Sequence, residues 1–203
     1  MTRTAHRLAA GIAALAAVTA LSSCSTATKD KADAGSDKAG VTSSAEQGSA
    51  HNSADVMFAQ MMIPHHEQAV ELGAMAPEHT SDQALIKLAG AVLTQQQPEI
   101  NAMKATLAQW GVNPDQPADH AGHTMSGMVD AATMAKLRTL QGPEFDKLWL
   151  KSMIGHHEGA IDMAKSEVND GKSQEMLTIA NGIIAGQQTE IDQMKQMLAA
   201  LGG

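Results

Sequence analysis

The sequence predicts an all-α fold, a four-helix bundle assembled from two copies of one helical hairpin. Three observations carry this. The 203-residue chain contains only two Phe, two Trp and no Tyr, whereas strands draw on aromatic and β-branched residues. Its second half is dominated by Ala, Met, Leu and Gln, which lose little side-chain freedom in a helix. Residues 55–111 also align without a gap to 146–202, at an offset of 91. Asp55, Met62, Ile63, His65, His66, Glu67 and Ala69 match Asp146, Met153, Ile154, His156, His157, Glu158 and Ala160. Further along, Gln96, Gln97, Glu99, Ile100, Met103 and Lys104 match Gln187, Gln188, Glu190, Ile191, Met194 and Lys195. Clustered identities without a gap are the mark of a duplicated supersecondary unit.

The chain opens with an address. Arg3, His6 and Arg7 precede an apolar run over 8–21, too short to span a bilayer as a mature helix and shaped like a signal peptide. The run ends in Leu21, Ser22, Ser23, Cys24, which resembles the bacterial lipoprotein cleavage box. The reading is a signal over 1–23, with the only Cys of the chain becoming a lipid-carrying N-terminus. That places the protein at the outer face of the cytoplasmic membrane with no spanning helix. Lipid on Cys24 consumes the only thiol, so soft-metal chemistry falls to Met and His. Residues 24–53 are mostly Ser, Thr, Ala, Gly, Lys and Asp. They bury too little to offset chain entropy and are expected to form a disordered tether.

The bundle follows over 54–203. A first helix is expected to start at Ser53 or Asp55 and to run to about Ala76, where Pro77 breaks it. Ser81 is expected to cap a second helix that runs to Trp110 and Gly111. Residues 112–142 link the halves and are expected to hold a short helix near 131–140. In the second copy (143–203), Pro143 suits a first helical turn. Phe145, Trp149, Met153, His156, Ala160 and Met163 then fall on one helical face. Asn169, Asp170 and Gly171 end that helix, and Ser173 can cap the last one, which Gly202 and Gly203 end. Pro64 and Pro98 lie inside helices, where each removes a hydrogen bond, so kinks are expected.

The repeated Met-Ile-x-His-His-Glu, each followed by Gln-Gln-x-Glu-Ile-x-x-Met-Lys, resembles the family called domain of unknown function 305. The resemblance covers both repeats and extends into the linker. It implies a ferritin-like four-helix bundle in a secreted or lipid-anchored bacterial protein. Some members are implicated in binding copper or silver ions outside the cytoplasm, and no general activity is established for the family. One departure is Gly155, where the family often has Pro.

The spacing supports a metal reading of its own. Met62 lies three and four residues before His65 and His66, so both rings can share its face. Met153, His156 and His157 repeat the pattern. Glu99 and Met103 with Gln96, and Glu190 and Met194 with Gln187, interrupt otherwise apolar stripes, where polar groups need partners. Thioethers beside imidazoles favour a soft ion, Cu(I) first and silver with it. Glu99 and Glu190 either orient a His as an outer acceptor or bind directly, which would suit Zn(II) or Cu(II). A second candidate lies in the linker, where His120, His123, Met125 and Met128 occur within nine residues. This stretch resembles short Met/His segments of envelope copper-handling proteins. His51 is a further contributor, whereas His79 is read as capping a turn.

Other functions find less support. No His has an acidic residue three positions before it, so the Glu-x-x-His of di-iron bundles is missing. There is no His-Glu-x-x-His motif and no phosphate-binding Gly-rich loop. A formal charge of −8 with no basic patch argues against nucleic acid. The reading is a non-enzymatic, lipid-anchored Cu(I) protein for buffering, detoxification or transfer, with a metal donor or acceptor protein as partner. The alternatives are a scaffold whose His–Glu pairs fix helix register and whose buried Met residues fill the core, and a copper redox enzyme. Oligomeric state is not legible.

Overall fold

A computed structural model describes residues 50–115 and 125–202. Its described residues form five helices and no strand: α1 (Ser53–His79), α2 (Gln83–Gln109), α3 (Ala131–Leu137), α4 (Gly142–Asp170) and α5 (Gln174–Ala200). The four long helices have 27, 27, 29 and 27 residues. α1 packs on α2 and α4 on α5, as two hairpins. The hairpins meet mainly through α1 and α4, with α2 and α5 touching lightly. The expected signal segment, Cys24 and most of the expected tether lie outside the described residues. No described helix is long and apolar enough to cross a membrane.

Local chemistry sets the helix ends. Asn52 caps α1 in a reciprocal box: its side chain accepts from Ala54 and Asp55 N–H, while Asp55 Oδ2 accepts from Asn52 N–H at 2.6 Å, satisfying donors the helix leaves free. α2 is capped by Asp82, which accepts from Ala84 and Leu85 N–H. Ser81, the residue expected there, is one position too early. Thr80 Oγ1 takes the Asp82 N–H at 3.0 Å instead, and this turns the chain so that the Asp82 carboxylate faces the helix start. α1 also runs through Pro77 to His79. A Pro in the last turn costs one bond back to Gly73, and the helix still closes with Thr80 N–H donating to Ala76 O. α1 and α2 likewise continue through Pro64 and Pro98. Ser173 caps α5, and Pro143 stands in the first turn of α4.

The repeated aspartates tie the hairpins together. Asp55 Oδ1 accepts from Lys172 and Ser173 N–H at 2.9 and 2.8 Å, so the start of α1 holds the α4–α5 turn. Burial pushes its carboxyl up, but these bonds and that from Asn52 outweigh it and hold the group below its ordinary value. Asp146, its repeat equivalent, lies near Thr80 and Asp82 at the α1–α2 turn, and burial raises it. The core is two apolar lobes. One gathers Leu72, Leu85, Trp149, Met153 and Met194. Its buried Trp149 donates Nε1–H to Leu72 O at 2.8 Å. The other gathers Phe58, Met62, Met103, Leu107, Met176 and Ile183.

Candidate metal centre

Between the two lobes runs a polar layer. On α1 the apolar residues stop at Ile63 and resume at Ala69, and on α4 they stop at Ile154 and resume at Ala160. His65, His66, His156 and His157 occupy these gaps and are fully buried. Gln96 and Glu99 on α2, and Gln187 and Glu190 on α5, fall at the same level. Each second-helix carboxylate takes one imidazole. His66 Nε2 lies 2.8 Å from Glu99 Oε2, and His157 Nε2 lies 2.8 Å from Glu190 Oε2. Between the hairpins the His65 and His156 rings meet at a centroid distance of 3.7 Å.

Most of the remaining polar capacity is unspent. Nδ1 of His65, His66, His156 and His157, and Nε2 of His156, are buried without a hydrogen-bond partner, as are both amide atoms of Gln96 and Gln187. Native proteins rarely leave such groups alone. Burial, reinforced by the neighbouring His66, lowers His65 to about 3. Burial and the adjacent histidines hold His156 well below the ordinary histidine value. Both rings are therefore neutral near pH 7, the form in which imidazole ligates metals. In the other two rings, His66 and His157, Nε2 is engaged by a carboxylate and Nδ1 is left buried without a partner.

The predicted thioethers divide between the lobes. Met62 and Met103 are buried together in one, and Met153 and Met194 in the other, each pair one helical turn from its His–Glu pair. The structure thus brings all ten bundle residues to the mid-region but does not gather the four sulfurs. Glu67 and Glu158, which share the repeated motif, point outward to Lys104 and Lys195 at 2.7 and 3.0 Å. These half-exposed pairs contribute little to stability. Among the described residues no three His, Cys, Asp or Glu side chains are grouped so as to hold a metal ion. A site here therefore needs Met sulfur or a small rearrangement of the rings.

The linker reaches this layer, which sequence reasoning missed. Ser126 O accepts from His65 Nε2 at 3.1 Å. The Gln68 side chain clamps Val129, donating to its O at 2.8 Å and accepting its N–H at 2.7 Å. Gly127, at φ +81, lies against α4, where a Cβ on Gly159 would fall 2.1 Å from Ser126 O. Partly buried Met125 and Met128 therefore flank the backbone atom that touches His65. His120 and His123 lie outside the described residues. His51 stacks on Trp110 at 4.0 Å, and His79 Nδ1 bonds Leu140 O at 2.8 Å, so neither is placed in the layer. Gly159→Ala should free this segment: hydrogen exchange at the Val129 amide should rise at least tenfold while helix amides keep their protection. Unchanged Val129 protection would show that the contact does not hold the linker.

The sequence profile of the family described as Domain of unknown function (DUF305) matches residues 55–198. The chain belongs to the DUF305 family. Among solved DUF305 structures, one from Streptomyces coelicolor, described as a candidate secreted protein, is 32% identical with a TM-score of 0.71, covering 74% of this chain and 95% of that one. A DUF305 fragment from Deinococcus radiodurans is 30% identical with a TM-score of 0.67, covering 73% and 97%. CopM in its Cu(I)-bound form is 32% identical with a TM-score of 0.63, covering 73% and 98%. CopM is also solved with silver and with Cu(II). An uncharacterized protein of Acanthamoeba polyphaga mimivirus is 43% identical over 53 residues, a match spanning 35% of that relative's length. The solved structures similar to this chain thus include a protein bound to copper and to silver.

Proposed function

We propose that the protein is an extracytoplasmic, lipid-anchored carrier of soft monovalent metal, Cu(I) and with it Ag(I). In this reading the ion is held at the polar layer of the bundle by histidine nitrogen and methionine sulfur. The observation that carries it is the pairing of the layer: Glu99 and Glu190 each engage one nitrogen of a buried imidazole and leave the other with no partner. Carboxylate, imidazole and metal in series is the ordinary arrangement around a metal-ligating His. Met62 with Met103, and Met153 with Met194, supply thioethers one turn away, suited to Cu(I). The copper- and silver-bound CopM structures support the choice of metal, and the secreted description of a relative supports the compartment. The signal and Cys24 support the anchor. Reversible exchange through Met125 and Met128 at the edge of the layer suits transfer to an acceptor protein, with no catalysis.

Anaerobic competition against a coloured Cu(I) chelator tests this. Glu99→Ala with Glu190→Ala should weaken binding about 10–100-fold, since only the orientation and basicity of the rings change. Unchanged affinity would remove the carboxylates from the site. A second reading, a scaffold whose His–Glu bonds set helix register, is favoured by the 2.8 Å pairs themselves. It requires these variants to lose thermal stability while the wild type shows no competition at all.

A further inference from the structure

A groove of about 280 Å³ lies outside the histidine layer, between the N-terminal half of α1 and the C-terminal half of α4. Its walls carry three thioethers: Met57 and Met61, one turn apart on α1, and Met163 across from them on α4. Met57 and Met163 are partly exposed and Met61 is nearly buried. Asp162, Glu167 and Asp170 line the same groove. Glu167 is 2% exposed, and neither of its carboxylate oxygens has a hydrogen-bond partner.

The internal repeat separates packing from chemistry here. The positions equivalent to Met57, Met61 and Met163 in the other half are Leu148, Ser152 and Leu72. The equivalent of Glu167 is Ala76. The duplicated hairpin therefore fills these positions without sulfur and without a buried acid. Core packing alone does not require three methionines and a carboxylate on one side only. Three polarizable sulfurs lining one open groove match a soft monovalent cation.

We propose that this groove is a second metal site, in which the thioethers of Met57, Met61 and Met163 hold one Cu(I) or Ag(I) ion against the Asp162, Glu167 and Asp170 side of the cleft. The site is more exposed than the histidine layer and stands independently of it. Met163 also packs on the lobe that contains Met62 and Met103.

The test uses the whole protein and silver nitrate as the Ag(I) source. With methyl-labelled methionine, the first equivalents of Ag(I) should shift the Met57, Met61 and Met163 methyl signals. The triple variant Met57→Leu, Met61→Leu, Met163→Leu keeps side-chain volume nearly constant and should bind one Ag(I) fewer by native mass spectrometry. The variant His65→Leu with His156→Leu should retain the groove equivalent and its methyl shifts. Loss of those shifts only in the histidine variant, equal stoichiometry in wild type and triple variant, or three unmoved methyl signals would each overturn the site. Failure of the histidine layer alone would instead appear as an unchanged ion count in the histidine variant, with the groove shifts intact.

Discussion

Protein carrying His65→Leu with His156→Leu will bind Cu(I) at the histidine layer at least about 100-fold more weakly than wild type, because ligands are lost outright rather than re-oriented. The metal-free variant will be more stable below pH 6. The two rings meet at a tilt in the core, and three of their four nitrogens bond to nothing, the fourth, His65 Nε2, donating to Ser126 O. Replacing an unsatisfied polar group by an apolar one of similar shape is neutral or stabilising. The pH sign follows from His65. Its pKa falls from 6.5 unfolded to about 3 folded, so the unfolded chain takes up a proton that the folded chain refuses. Stability is then whole above pH 6.5 and declines as pH falls toward 3. At pH 5 this one ring costs roughly 2 kcal/mol, and His156 acts in the same direction. Thermal melts of apo wild type and variant from pH 4.5 to 7.5 check this. A variant less stable than wild type at pH 5, with Cu(I) affinity intact, would sink the metal reading and leave the rings as structural parts.

This expectation separates two things that the duplication alone leaves joined. A structural His–Glu pair and a metal-supporting His–Glu pair have the same sequence signature, and both would be copied with the hairpin. What distinguishes them is whether the second ring nitrogen has a partner, which depends on how the hairpins meet. The hairpins themselves are legible because the repeat, the caps and the apolar periodicity agree. The meeting of His65 with His156 is a property of the contact between α1 and α4, and no local pattern reports it. Ser126 is invisible for a related reason: its role is played by a backbone carbonyl, and any residue has one. Gly127 and Gly159 were the available signal, since paired small residues mark places where backbones approach closely. The groove methionines carry no repeat signal, because Met57, Met61 and Met163 stand opposite Leu148, Ser152 and Leu72 in the other half. Glu167 had a signal too, an acid on the inward face of α4 one turn beyond Met163.

Glu167 sets the other side of the pH profile. Burial first, then the adjacent Asp55 carboxylate and the charge of Asp170, push its carboxyl from 4.5 up to about 8. It is pressed against the turn, where a Cβ on Gly171 would come within 2.2 Å of its Oε1, so it has little room to reach water. The folded protein holds a proton that the unfolded chain releases above pH 4.5, and stability therefore falls as pH rises from 4.5 through about 8. Asp55, held below its ordinary value, stays ionised across this window and adds no slope. Glu167→Gln keeps the shape while removing the titration. Metal-free, it should be more stable than wild type at pH 8, with the gap closing toward pH 5 as the unfolded wild-type chain takes up its proton at this position. Combined with the histidine replacements it should flatten both limbs of the curve, because the two groups act on opposite sides of the stability maximum and lie in different parts of the bundle. Urea denaturation at pH 5, 6.5 and 8 reads all of this. Parallel curves for wild type and Glu167→Gln would mean that the acid is ionised in the fold, and the charge lining the methionine groove would then be larger by one.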